Sequence, residues 1–328
     1  METALITGAN GFIGSHLACE LVRRGYMVYG VHRSHNSKNE EYMKYVQEGK
    51  IVIFYGSVSD IDTNTIPNVD YVYHIAGKVS AWGKLDEFRG INLGGTRNFL
   101  EYAKRCNVKC FTYLSSVAVY GFYGYKQLEE DGEKRPFNNP YSLSKLETEN
   151  YVSKYARENN LPYVIIRPGN VYGEYDFTSS HEVYDLIKKE KMIICGSGKY
   201  ESCWVYVKNL VEAIILTSQN MDARNTDYNV ADGNTNLIDY LTKVALAFNV
   251  RPRFTKVPAP LAKLTAILIE GFYKLFRIKD APLITKFTVY QNLADYSFST
   301  RKLEATGYKR LYSEDEGIKR TVEYFKQL

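Results

Sequence analysis

The feature that most limits what this chain can fold into lies at its start. A short β-rich run, "TALIT", leads into "TGANGFIG" (Thr7 to Gly14), and "GSHLACELVRRG" follows with helical periodicity that stops at Gly25. Gly8, Gly11 and Gly14 stand at three-residue intervals. Gly8 allows a tight turn, Gly11 lets a pyrophosphate approach the backbone, and Gly14 permits close packing of helix on strand. Amides at the helix start then face the phosphates. Glycine turns after strands are common without any ligand. Here the strand before, the helix after and a second strand, "YMVYGVHR", supply the context a dinucleotide-binding turn requires. Gly8, Asn10, Gly11, Phe12, Ile13 and Gly14 are the expected contacts.

Further candidate strands are "IVIFYG" (51–56), "VDYVYHIAG" (69–77), "KCFTYLSS" (109–116) and "PYVIIRPG" (162–169), and most are separated by helical stretches such as "NLGGTRNFLEYAKRC" and "SLSKLETENYVSKYARENN". This alternation predicts an α/β fold of Rossmann type, a doubly wound parallel sheet with helices on both faces. After Gly173 the pattern loosens. The expectation is a dinucleotide-binding part over 1–173 and a smaller C-terminal substrate-binding lobe over 174–328, with some segments returning to the Rossmann core. At 45% hydrophobic and 24% charged residues the chain can build that core. A net charge of +5, scattered rather than gathered, gives nucleic-acid binding no electrostatic support.

Five cysteines form no CxxC pair, and no histidine lies near Cys106 and Cys110, so no metal site is expected. With no signal-like start, the expected setting is reducing and cytoplasmic. "VPAPLAKLTAILIEGFYKLFRI" (257–278) is interrupted by Lys263, Glu270 and Lys274, which excludes a membrane span. A helix covering a pocket or the core is the favoured reading of this run, and peripheral contact with a membrane surface is the other.

The end of the second strand bears on the choice of dinucleotide. An NAD-selective site usually presents a carboxylate there, whereas this chain has "GVHRS" with His32 and Arg33. A planar guanidinium suits a 2′-phosphate, so NADP is favoured over NAD.

"YSLSK" places Tyr141 and Lys145 four apart in a helical segment, on one face. A phenol with a pKa near 10 is a poor proton carrier at neutral pH unless a cation stabilises its anion, and Lys145 can stand beside it. In a chain with 29 tyrosines the spacing alone is weak. Upstream, "YLSSVAVYG" sets Ser115 and Ser116 at the C-terminal end of a candidate strand, where ligands sit in open α/β sheets.

Together with "HIAG" (74–77), "NLGGTRNFLEYA" and "RPGNVYG" (167–173), these motifs resemble, in order and over nearly the whole chain, the extended short-chain dehydrogenase/reductases. The resemblance implies Tyr141 as acid/base, Lys145 as the residue that holds the nicotinamide ribose and lowers the tyrosine pKa, and Ser116 as the residue that binds the reacting oxygen, with Ser115 as fallback. It further implies cofactor contacts at Ser57, Val58, Ala76, Gly77 and Pro168, and a mainly structural Asn92. Two departures stand out: "GSVSD" has Ser57 where relatives often have an adenine-contacting Asp, and "ESCWVYVKNL" has Ser202 where nucleotide-sugar enzymes carry a pyrophosphate-binding arginine.

"AGKVSAWG", the "VHR" turn, "VYVKNLVEAIILT" and "DYSFSTRKLEATGYKR" look closer to the 3β-hydroxysteroid dehydrogenase and dihydroflavonol reductase branch. That likeness implies reversible hydride transfer between NAD(P) and a secondary alcohol or ketone of a hydrophobic, sterol-like substrate. The alternatives are a nucleotide-sugar epimerase or dehydratase and, from another class, a cofactor-binding regulator without catalysis. A homodimer is expected by resemblance. A pocket lined by cations would weigh against the sterol-like reading.

Overall fold

The computed structural model describes residues 1–178 and 180–328. In chain order its elements are β1 (Thr3–Thr7), α1 (Phe12–Arg23), β2 (Met27–His32), α2 (Glu40–Gln47), β3 (Ile51–Tyr55), β4 (Tyr71–His74), α3 (Leu85–Phe88), a π-helix (Arg89–Gly94), α4 (Gly95–Cys106), β5 (Cys110–Leu114), β6 (Tyr125–Leu128), α5 (Pro140–Glu158), β7 (Tyr163–Pro168), β8 (Asn170–Tyr172), α6 (Ser180–Lys188), β9 (Ile193–Cys195), β10 (Glu201–Tyr206), α7 (Val207–Gln219), β11 (Thr226–Val230), β12 (Gly233–Asn236), α8 (Leu237–Ala247), β13 (Thr255–Val257), α9 (Ala259–Leu275), α10 (Lys286–Asn292), β14 (Tyr296–Phe298), α11 (Arg301–Glu304) and α12 (Glu314–Lys326).

Seven strands form one sheet in the order β11-β7-β5-β4-β1-β2-β3, every neighbouring pair parallel. Successive side chains of a strand face opposite sides. In β1, Ala4 and Ile6 join the apolar cluster under α1 and α7, while Leu5 joins the one under α4 and α5. Burial on both faces is what a parallel sheet needs. The strand order reverses between β1 and β4, and at such a switch point the carboxyl ends of the strands leave a crevice.

Beyond Gly173 the chain does two things. The helix α7 packs on the large sheet and β11 extends it, whereas β12, β10 and β14 make a second sheet together with β6 and β8 from before Gly173, and β13 pairs with β9. Among the described residues no helix is long and apolar enough to cross a membrane. No cluster of three or more potential metal ligands is found among them either.

Candidate active site

The turn between β1 and α1 shows why glycines occupy it. Gly8 has φ +69°, and a Cβ there would sit 3.1 Å from the Ala76 Cα. At Gly14 a Cβ would fall 2.1 Å from the Gly8 carbonyl oxygen, an overlap that any side chain would create. Gly11 is the N-cap of α1 and offers no side chain to cap it, so the first amides of the helix keep their donors for an anion. The cradle fits a dinucleotide pyrophosphate.

Asn10 holds the neighbouring loop. Its Nδ2 donates to the Ser34 hydroxyl at 2.7 Å and to the Asn36 carbonyl at 3.0 Å, and its own carbonyl accepts from Ser37. His32 is buried, bonded to the Ser34 carbonyl and the Tyr42 hydroxyl, and burial lowers its pKa. Arg33, by contrast, is exposed and makes no hydrogen bond or ion pair among the described residues. After β3, the Ser57 hydroxyl pairs with Ser59, and Val58 is pinned under α4, where a Cβ on Gly95 would lie 2.5 Å from its methyl carbon. Pro168 ends β7 beside Val230 of β11.

Tyr141 is the second residue of α5, in the first turn of a helix whose start is fixed locally. Asn139 caps α5 by accepting from the Ser142 amide at 2.9 Å, and Pro140 occupies the first turn. The Tyr141 phenol is pushed up in pKa by burial, and its hydrogen bond with the Ser116 hydroxyl acts the other way. Ser115 turns instead into the core, donating to Glu149 at 2.8 Å.

Lys145 departs from the arrangement expected from its spacing. Its ammonium donates to the Leu114 carbonyl at 2.7 Å and lies over the Tyr113 ring, rather than pairing with the Tyr141 phenol. Burial pulls its pKa down to about 8, against a smaller upward effect of Glu149. Gly77 leaves open the space beside it: a Cβ there would come within 3.4 Å of the Lys145 nitrogen and 3.3 Å of the Asn92 amide oxygen. A cofactor ribose could approach the lysine across that gap.

Supporting residues surround the set, and two of them, Glu149 and Lys134, were given no role by the motifs. Glu149, one turn past Lys145, is buried and takes two hydrogen bonds from the fully buried Arg167, 3.0 Å from Nε and 2.6 Å from an Nη, plus an ion pair from Lys134 at 2.7 Å. Asn92, in the π-helix, accepts from the Lys78 amide at 2.7 Å and donates to the Ser144 hydroxyl at 2.9 Å. A π-turn is costly within a helix and often marks a functional site. Position i+4 from Lys145 could have flagged Glu149; Asn92, expected from the resemblance to be mainly structural, bridges Lys78 and Ser144 here.

A cavity of about 970 Å³ opens at the start of α5; Pro140 and Leu143 line it on either side of Tyr141, which does not itself line it. Its inner wall is apolar, with Trp82, Phe137, Leu143, Tyr273 and Phe287, and the Phe287 ring meets that of Tyr141 edge-on at 6.4 Å. Its rim is cationic: Lys84, Lys274, Arg277, Lys279 and Lys286 against Glu87 and Glu270. Glu87 already pairs with Lys78, and Glu270 with Lys286. Lys84, Lys274, Arg277 and Lys279 have no ion pair among the described residues. Asn139 also lines the cavity, and its Nδ2 is buried without a partner. At the family's arginine position Ser202 is buried, donating to the Thr235 carbonyl and accepting from Trp204.

Comparison with known proteins agrees with this geometry. Over 99% of its length the chain is 26% identical to mouse dTDP-D-glucose 4,6-dehydratase, of which 89% is covered. It is 24% identical, again over 99% of its length and 90% of the relative, to the 3 beta-hydroxysteroid dehydrogenase/Delta 5-->4-isomerase of Mycobacterium tuberculosis. The fold is shared with UDP-glucuronic acid 4-epimerase from Bacillus cereus, solved in complex with NAD, at a TM-score of 0.80 and 19% identity over 99% of each chain. A family model matches residues 4–231, and with the glycine turn and sheet order described above the chain belongs to the NAD dependent epimerase/dehydratase family, as an enzyme of the extended short-chain dehydrogenase/reductase type.

Proposed function

We propose that the protein transfers hydride at a secondary alcohol carbon of a sugar joined to a diphosphate, with Tyr141 as acid/base. The observation that carries the substrate class is the unpaired cationic rim of the cavity whose Phe287 wall touches Tyr141. A diphosphate would neutralise Lys274, Arg277 and their neighbours, while the sugar ring packs on Phe137 and Phe287. The absence of an arginine at Ser202 is consistent with an anion held at this rim instead of at the family's usual place.

Gly8, Gly11 and Gly14 would hold the cofactor pyrophosphate, Val58 and Ser57 the adenine end, Ala76, Gly77 and Pro168 the nicotinamide half, and Lys145 its ribose. Bound there, the nicotinamide supplies a hydride acceptor and donor. Tyr141 takes the proton from the substrate hydroxyl and returns it to the alkoxide, and Ser116 donates a hydrogen bond to the same oxygen. Arg33, free at the end of β2, supports acceptance of a 2′-phosphate and hence NADP alongside NAD.

A second reading, a sterol-like ketone or alcohol, draws on the apolar inner wall and on the mycobacterial hydroxysteroid dehydrogenase relative. One experiment separates the two. The purified chain is offered NAD or NADP with UDP- and dTDP-sugars and, in parallel, with 3-hydroxysteroids, and products are followed by chromatography. Turnover of a diphosphate sugar that Tyr141→Phe reduces by roughly 10²–10⁴-fold is the expected result. Turnover of the steroids alone sinks the diphosphate reading, and an unchanged rate in Tyr141→Phe sinks the catalytic assignment.

A further inference from the structure

The outer side of α9 is unlike the rest of the surface. Leu261, Leu264, Leu268, Phe272 and Leu275 fall at i, i+3, i+7, i+11 and i+14, a single stripe, and each is 52–76% exposed. Ile267 and Phe276 widen it, and Leu283 beyond the helix is 97% exposed. The opposite side, with Ala262, Ala266 and Glu270, is buried. The helix therefore does cover the cavity, yet it also carries an apolar face that no described part of the chain covers. Large exposed apolar residues occur singly on ordinary surfaces; a continuous patch marks an interaction site.

The charges around the stripe say what it meets. Lys263 and Lys274 lie toward the buried side, over the Tyr290 and Trp82 rings, and Arg277 and Lys279 stand exposed just past the C-terminal end of the stripe. Glu270 is buried and paired with Lys286, which leaves Asp280 as the one exposed acid between Pro258 and Thr285. Two such faces brought together by a two-fold axis would set like charges against each other. A bilayer with anionic headgroups offers apolar depth and negative charge at once. We propose that α9 lies flat on an anionic membrane surface, its leucine stripe in the acyl boundary and Arg277 and Lys279, at its C-terminal end, among the headgroups. Trp82 ties the docked helix to the catalytic body, its indole donating to the Ile278 carbonyl at 3.2 Å. Since Arg277 and Lys279 also rim the cavity, docking places its mouth at headgroup level.

Vesicle flotation of the full chain tests this without any substrate, so its outcome is separate from that of the proposed reaction. The wild-type chain is expected to float with vesicles of phosphatidylglycerol and phosphatidylcholine in equal parts, and about tenfold less with phosphatidylcholine alone or in high salt. Leu264→Glu with Leu268→Glu, both at exposed positions, is expected to lower binding by at least about tenfold at an unchanged melting temperature. Should that variant not fold, Leu275→Glu serves the same comparison. A wild-type chain that stays unbound with anionic vesicles, or a folded variant that floats as well as wild type, overturns the proposal. So does a vesicle-free dimer that the same substitutions dissociate, which would assign the face to a second copy.

Discussion

Glu149→Gln tests whether the buried charge cluster beneath Lys145 supports both the fold and the lysine. Burial alone would raise the Glu149 pKa, but the hydrogen bonds and charge of Arg167, followed by Lys134, hold it below the ordinary carboxylate value. Removing the negative charge leaves Arg167, fully buried, with Asp227 as its remaining anion. Breaking a buried pair from one side costs about 3–5 kcal/mol. At about 2 °C per kcal/mol for a chain of this size, the melting temperature should fall by roughly 6–10 °C at neutral pH. The pH dependence has a definite sign. A carboxyl whose pKa is lowered by folding stabilises fully above its unfolded value near 4.3, and that contribution is lost as pH falls through the native pKa. Wild type and variant should therefore converge in acid. The same substitution removes the one upward influence on Lys145, whose pKa should drop further below about 8. Cofactor affinity measured by titration calorimetry should then decline at lower pH in the variant than in wild type. Melting curves within about one degree of each other at pH 7, or superimposable affinity profiles, would refute the argument.

Two further substitutions test the cofactor cradle. Gly14→Ala forces a Cβ to within 2.1 Å of the Gly8 carbonyl, so the turn must open; a loss of about 1–3 kcal/mol in stability and a clear loss of dinucleotide affinity are expected in melting and binding assays. Arg33→Asp replaces a free cation at the end of β2 with the carboxylate that suits a ribose 2′-hydroxyl, and should shift the ratio of NADP to NAD affinity toward NAD by about tenfold or more.

How much of this was legible in the sequence depended on whether the cause was local. The turn at Gly8 to Gly14 and the Tyr141–Lys145 spacing are set within one strand and one helix turn, and their residue types state their geometry. The strands at 69–77 and 109–116 came out shorter than expected, Tyr71–His74 and Cys110–Leu114, because the chain leaves the sheet there to line the crevice. The rim of the cavity was not legible: Lys84 and the Lys274, Arg277 and Lys279 group lie about 190 residues apart, and the contacts of Trp82 with Lys274 and Ile278 bring them to one opening. Nor could periodicity tell a helix that covers a pocket from one that docks outward. Ala262 and Ala266 on one side and Leu264 and Leu268 on the other are all apolar, and burial alone divides them.

The same non-local packing explains how the phosphate turn and the acid/base helix stay in register. Thr7, at the end of β1, shares its hydroxyl with the Ala76 amide and with Nδ1 of His74; Nε2 of His74 meets the Thr96 hydroxyl at 3.0 Å, and Thr96 donates to the Asn92 carbonyl. Asn92 continues to Ser144, which donates to the Tyr141 carbonyl at 2.9 Å. An unbroken hydrogen-bonded path thus runs from the strand that carries the glycine turn to the backbone of the proposed proton carrier. Its central member is an imidazole without exposed surface, whose pKa burial forces down to about 3, with the Lys145 charge acting in the same direction. Such a histidine stays neutral throughout the range in which Lys145 titrates. The path keeps its donors and acceptors fixed while the lysine changes charge, so alkaline pH can alter the electrostatics of the site without loosening its geometry.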